Sequence, residues 1–239
     1  MGELERWNTR FGLPDYIFGT APNEFLASKA TLLVPGSRAL CVADGEGRNS
    51  VWLAERGLEV VAFDLSPVGV EKARRLAEKR GVKVAFEVAD VYGWRWPHAE
   101  FDLVAAIFVQ FADPAMRGFM FERIVRALKP GGLLLLEGYV PKQLEYRTGG
   151  PPHVENLYTP QMLRQAFAAL EILELKAYEA VLAEGTQHSG RSALVDLVAR
   201  KPGDPLPRMV LDGVLKAEFG GGLCKRCQLW WHSMPLAPA

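Results

Sequence analysis

After residue 38 the apolar residues of this chain fall into short runs, set apart by polar segments that carry glycine and proline. Ala39-Leu40-Cys41-Val42-Ala43, Val60-Val61-Ala62-Phe63 and Phe101 to Phe108 are continuous runs of strand length. Continuous apolarity over so few residues is what a strand buried on both faces needs. Between them the pattern turns helical, with stops and starts in place. A helix over about Asn49 to Arg56 meets Gly57, and a second opens on Ser66-Pro67 and stops at Gly81. Serine before proline offers a capping oxygen and then a residue whose missing N–H costs a first turn nothing. Asp113-Pro114 repeats the signal for a helix to Lys129, and Thr159-Pro160 opens another. A third strand is expected over Val82 to Ala89, closing at Asp90, and a fifth over Leu133 to Leu136 after the break Pro130-Gly131-Gly132. The last two runs, about Glu171 to Val181 and Ser192 to Ala199, are joined by about nine polar and glycine residues. That join suits a hairpin and not a helical crossover. The expected fold is α/β: a doubly wound, mostly parallel seven-stranded sheet with a terminal antiparallel hairpin.

The first strand–helix turn carries the candidate chemistry. It reads Asp44-Gly45-Glu46-Gly47-Arg48-Asn49, and Asp64 closes the following strand. A glycine turn feeding a helix, with an acid about twenty residues on, is a nucleoside cradle in which the acid takes the ribose hydroxyls. A dinucleotide would press its pyrophosphate against Asp44 and Glu46, at roughly 3–4 kcal/mol for each close like-charge contact, partly relieved by Arg48. Ser50 also stands where a dinucleotide loop has its third glycine. A ligand with positive charge turns the same acids into attraction, and S-adenosylmethionine, with a sulfonium and an ammonium and no phosphate, fits.

Composition narrows the setting. The 239 residues can bury a full core, and acids and bases balance at 28 each. That balance argues against a general nucleic-acid partner, which needs a basic stripe. No apolar run is long enough to span a membrane. The acidic start, Met1 to Trp7, lacks an apolar signal region, so a cytoplasmic location is expected. Cys41 sits in a core strand and reads as a small buried residue.

As a whole, residues 5–201 resemble the class I S-adenosylmethionine-dependent methyltransferases. The likeness rests on the acidic loop, Asp64, Asp90, Phe101-Asp102-Leu103-Val104, the turn Leu128-Lys129-Pro130-Gly131-Gly132 and the closing hairpin. Within them the chain looks most like the bacterial branch related to the tellurite-resistance methyltransferases. That rests on Trp7-Asn8-Thr9-Arg10-Phe11, Phe18-Gly19-Thr20-Ala21-Pro22-Asn23, Thr148-Gly149-Gly150-Pro151 and Glu184-Gly185 with His188-Ser189-Gly190. The resemblance implies methyl transfer to a small acceptor by a cofactor-binding domain over 37–201. The aromatic stretch with Trp7, Phe11, Tyr16 and Phe18 reads as a lid over 1–36, or else as packing on the sheet edge, and a proline- and glycine-rich extension over 202–239 lies outside the likeness. The resemblance also implies that Asp90 and the Val91 amide meet the adenine edge.

Ligands of an open parallel sheet sit beyond the carboxyl ends of its strands. Asp44, Gly45, Glu46, Gly47 and Asn49 are therefore expected around the methionine end, Asp64 and Leu65 around the adenosine, and Phe108 on the same face. A soft anionic acceptor, a thiolate or chalcogen anion, needs no base. An alcohol or amine does, and His188 is the histidine placed for it, unless it serves only as a hairpin-turn residue. Tyr139 and the glycine-rich stretch after it form the expected acceptor wall, with Arg147 as an anion clamp or a solvated surface arginine. Two other readings stay open: a nicotinamide-dependent oxidoreductase, and a non-catalytic S-adenosylmethionine-binding protein. Cys224-x-x-Cys227 in the extension offers too few ligands for a zinc site, so no metal is expected.

Overall fold

Each helix start that the sequence marks by a capping residue before proline is capped by that residue's side chain. In the computed structural model, which describes residues 2–203, Ser66 Oγ accepts the Gly69 N–H, Asp113 Oδ1 that of Met116 and Thr159 Oγ1 that of Met162. The elements run α1 (Glu3–Phe11), α2 (Glu24–Ser28), β1 (Arg38–Val42), α3 (Arg48–Glu55), β2 (Glu59–Asp64), α4 (Pro67–Arg80), β3 (Val84–Val88) and β4 (Phe101–Ile107). They continue with α5 (Pro114–Ala127), β5 (Leu128–Tyr139), α6 (Gln143–Tyr146), α7 (Pro160–Ala166), β6 (Glu171–Glu184) and β7 (His188–Arg200). The seven strands form one sheet in the order β3-β2-β1-β4-β5-β7-β6, with β7 antiparallel to both neighbours. This is the expected architecture. One face carries a core around Leu40, Phe63, Val104, Met120, Leu136 and Phe167; the other buries Phe25 and Leu26 of α2 against Trp52 and Leu53 of α3.

The sheet departs from expectation at its edges and joins. The third strand is shorter than expected, Val84–Val88. Helix α5 stops at Ala127, because Leu128 already pairs with Phe101. Pro130-Gly131-Gly132 is then a bulge inside β5, since pairing resumes at Leu103–Leu133, and the Gly131 N–H donates to the Lys201 carbonyl at 2.8 Å. The terminal hairpin is much longer than its apolar runs, and only residues 185–187 separate its strands. His188 is thus the first residue of a strand and not part of the turn. That end of the ribbon is polar because it projects past the core to meet residues 17–19 and 148–149, where ladder hydrogen bonds and not apolar burial hold it. The Thr186 N–H donates to the Ile17 carbonyl at 2.9 Å, and Thr148 Oγ1 donates to the Arg191 carbonyl at 2.5 Å.

No helix among the described residues is long and apolar enough to cross a membrane. Cys224 and Cys227 lie outside the described residues.

Candidate active site

The carboxyl ends of β1, β2 and β4, the turn after β3, helix α1 and the start of β7 enclose a cavity of about 430 Å³. That size suits a small organic ligand. Asp44 and Asp64 stand beside each other because β1 and β2 are adjacent and parallel. Asp64 accepts the Gly45 N–H on one oxygen and the Ser66 N–H on the other, both at 2.8 Å. It therefore ties the loop's shape to its own position and keeps one lone pair per oxygen for a ligand. Asp44 accepts from Ser50 Oγ and, at 3.3 Å, from the Ser50 N–H. Burial pushes both carboxyls up to about 6, against the hydrogen bonds that favour ionisation. At the edge, Asp90 Oδ1 accepts the N–H groups of Tyr92 and Gly93 at 2.8 and 2.6 Å. Gly45, Asn49, Leu65, Asp90, Val91 and Phe108 line the cavity as expected.

Three residues expected on the cavity are turned away from it. Glu46 is buried under the N-terminal segment, accepting the Ile17 N–H at 2.8 Å and pairing with Lys72 at 2.5 Å. A carboxylate inside the protein needs such partners, and the ligand face does not supply them. Gly47 (φ +89°) serves helix packing: a Cβ there would lie 2.6 Å from that of Ala73 on α4. Arg147 ends α6 on the exposed surface and is absent from the cavity lining.

His188 and Tyr139 do line the cavity. The imidazole lies between Phe18 and Phe108, with ring centroids 4.4 and 4.3 Å away. Its Nδ1 is buried without a hydrogen bond, 3.7 Å from Glu184 Oε2. Burial lowers its pKa, outweighing Glu184. Tyr139 Oη is likewise buried and unpartnered, and burial, then Glu137, raises its pKa. Gly149 and Gly150 press on that side chain; a Cβ on the first would lie 2.9 Å from its Oη and one on the second 2.8 Å from its ring. Trp94 and Trp96 stay off the cavity, packing on the far side of Phe63 at 4.5 and 5.5 Å.

Behind this wall lies a polar network that joins Asn23, Arg48 and Glu184, quoted from the sequence only for their motifs, to Glu137, which was not singled out. Arg48 donates to Glu184 Oε2 at 2.8 Å, and Glu184 Oε1 accepts from Asn23 Nδ2 at 3.0 Å and the Glu24 N–H at 2.9 Å. Burial alone would raise the Glu184 pKa, but His188 and Arg48 hold it down at about 2. Asn23 also donates to Glu137 at 2.5 Å. Glu137 faces Asp196 across the β5–β7 ladder. Two buried carboxyls so placed disfavour each other's charge, and burial followed by Asp196 pushes Glu137 up to about 8. The signal available beforehand was an acid inside an apolar strand, Leu136-Glu137-Gly138. With Glu137 raised, the folded state holds a proton that the unfolded chain releases. Stability from this pair is therefore complete below pH 4.5, falls as pH rises and is gone above about 8. Thermal melts between pH 6 and 8.5 should show the decline, and Glu137→Gln, which stays neutral, should flatten it. An unchanged slope in that variant would clear Glu137 of the effect.

Comparison with known proteins agrees with this geometry. Residues 39–132 match the model of a methyltransferase domain. The chain is 37% identical over 106 residues to a demethylmenaquinone methyltransferase of Thermus thermophilus, covering 44% of this chain and 48% of that protein. It thus spans less than half the length of that relative. N-methyltransferase NodS of Bradyrhizobium japonicum, solved with S-adenosyl-L-homocysteine, superposes with a TM-score of 0.63 at 16% identity, covering 83% of this chain and 98% of that one. TehB of Haemophilus influenzae superposes with a TM-score of 0.62 at 15% identity, covering 83% and 66%. At such identities the likeness speaks for the fold, which is that of the class I methyltransferases.

Proposed function

We propose that this chain is an S-adenosylmethionine-dependent methyltransferase with a small-molecule acceptor. The observation that carries the reading is the pair Asp44 and Asp64 beside the glycine loop, with the loop's own cation, Arg48, committed to Glu184. A pyrophosphate at the loop would meet two acids, with Arg48 already paired, whereas the positive charge of a sulfonium or ammonium is welcomed. Asp64 would hold the ribose hydroxyls, Asp90 and Val91 the adenine edge, and Asp44 with Gly45 and Asn49 the amino-acid end. When bound, the cofactor supplies a methyl group on a positively charged sulfur.

The chain's own residues supply the rest. The edge of His188 opposite its buried Nδ1 lies toward Gly149 on the cavity wall. Burial keeps the ring neutral near pH 7, and the Glu184 carboxylate beside Nδ1 favours a proton on that nitrogen, leaving Nε2 to accept one from the acceptor. Tyr139 Oη is a free donor to the acceptor's own polar group. Phe18 and Phe108 keep water from the pair, and alignment in such a site can contribute roughly 7–11 kcal/mol. Helix α1 and the segment to residue 36 act as a lid. An acceptor that is soft and protonated, such as a thiol, uses all of these groups. The motifs at Trp7 to Phe11, Phe18 to Asn23 and Glu184 to Gly190 support the branch related to the tellurite-resistance methyltransferases, and chalcogen oxyanion-derived acceptors come next.

Calorimetry and thermal shift with S-adenosylmethionine, its demethylated product and NAD test the cofactor. A ligand at a hundred times its Kd should add about 2.7 kcal/mol. Asp64→Asn, which keeps one acceptor for the loop, should weaken both adenosyl ligands more than tenfold. Stabilisation by NAD alone would overturn the reading. Turnover on thiols, selenite and tellurite tests the chemistry. With a thiol, His188→Asn should lower kcat and abolish the acid limb of its pH profile; an unaltered profile would remove His188 as the base.

A further inference from the structure

Helix α1 turns one face to the cavity: Glu3, Arg6, Trp7 and Arg10, at helical spacing, all line it. We propose that Arg10, with Arg6 beside it, is a receptor at the cavity mouth for a carboxylate or comparable small oxyanion of a bound ligand. The inference rests on the methyltransferase reading and goes beyond it in assigning the anion.

The argument begins with what Arg10 lacks. Elsewhere around the site buried cations are matched: Arg48 pairs with Glu184 and Lys72 with Glu46. Arg10 is half-buried, yet among the described residues it pairs with no carboxylate. Its recorded hydrogen bond is Nη2 to the neutral Gln187 Oε1, at 3.1 Å. The guanidinium is held by stacking, 4.5 Å from the Trp7 ring and 5.8 Å from Phe18, which orients its plane and leaves most of its donors unused. Arg6 adds a second positive charge. Its Nη2 reaches Glu3 at 2.8 Å, while its Nε is buried with no partner. Two neighbouring guanidiniums thus share one carboxylate, that of Glu3, and in a partly desolvated cleft their spare donors favour a further anion. A planar fork matches a carboxylate by two parallel hydrogen bonds.

Position leaves two sources for that anion. Phe11, next to Arg10, lies over the glycine loop, so near Gly45 that a Cβ there would be 3.1 Å from its ring. The carboxylate at the amino-acid end of the cofactor is therefore one source. Gln187 and Phe18 adjoin His188, so an anionic group on the acceptor is the other. Arg147, the surface arginine, is not on the cavity and does neither.

The experiment measures affinities of wild type and Arg10→Gln for S-adenosylhomocysteine and for its analogue lacking only the carboxylate. In a second arm, the S-adenosylhomocysteine-saturated proteins are titrated with benzoate and with selenite. Loss of tenfold or more in affinity for the carboxylate ligand, with the analogue unaffected, establishes the receptor and names the cofactor as its source. Unchanged affinity for both, with stabilisation by benzoate or selenite seen in wild type and lost in the variant, establishes it with the acceptor as source. Equal losses for the two adenosyl ligands, or no effect in either arm, overturn the proposal. Arg10→Lys, which keeps the charge and gives up the fork, covers the case of a Gln variant that unfolds; it should keep the selectivity and lose fewer-fold. Failure of wild type to bind either adenosyl ligand would instead sink the cofactor reading.

Discussion

Glu184→Ala should cost about 3–5 kcal/mol, because it strands the Arg48 guanidinium inside the protein. Arg48 and Glu184 have side chains only 7% and 4% exposed, and they meet at 2.8 Å. The alanine also frees the Asn23 amide and the Glu24 N–H, which Glu184 Oε1 accepts. Those two bonds fasten the N-terminal segment to the sheet, so its melting should lead the transition. Urea denaturation measures the loss. The double variant Arg48→Met/Glu184→Leu should recover most of it, since a buried pair replaced by apolar groups is near neutral while a broken one is not. A single-variant cost under about 1 kcal/mol would mean that water reaches the pair, the behaviour of exposed ion pairs.

Gly185→Ala should loosen the site and weaken ligand binding more than tenfold. Gly185 has φ +68°, and a Cβ on it would stand 2.4 Å from the Ile17 carbonyl oxygen and 2.5 Å from the Gly19 nitrogen. Both are backbone atoms, so no side chain can swing aside. The segment carrying Phe18 must retreat from the hairpin and from His188, opening the wall of the cavity. Hydrogen exchange reads this directly: the Thr186 and Gln187 amides, which donate to the Ile17 carbonyl at 2.9 and 3.2 Å, should lose protection. Gly36→Ala is the control. It shares a positive φ of +82° but faces open space, so it should cost about 1–3 kcal/mol of local strain and leave those amides alone. Equal exchange in both variants would refute the clash.

Much of the site was legible because its parts are local in the chain. Asp44 and Asp64 each end an apolar strand, and two parallel strands side by side bring their ends together. Leu65, Asp90, Val91 and Phe108 follow the same logic. Glu46 and Gly47 misled for the converse reason: a loop's residues share a backbone path but not a direction. One side chain turned under the N-terminal segment to Lys72, and the other position is occupied by Ala73. Arg147 had only charge to recommend it, and charge without a place in the fold does not locate a site.

What the amino-acid order decided alone was the alternation of buried strands and capped helices, hence the sheet, its closing hairpin and the acid-lined cavity at the carboxyl ends of its strands. Those features are set by neighbours within a few residues, through burial period, capping oxygens and turn chemistry. What only the three-dimensional structure decided was partnership over distance. Asn23 joins Glu137 and Glu184, Arg48 reaches Glu184, and α1 lays Arg10 against Gln187. These contacts span 114 to 177 residues of chain, and long side chains choose their partners only after the backbone has brought candidates within reach.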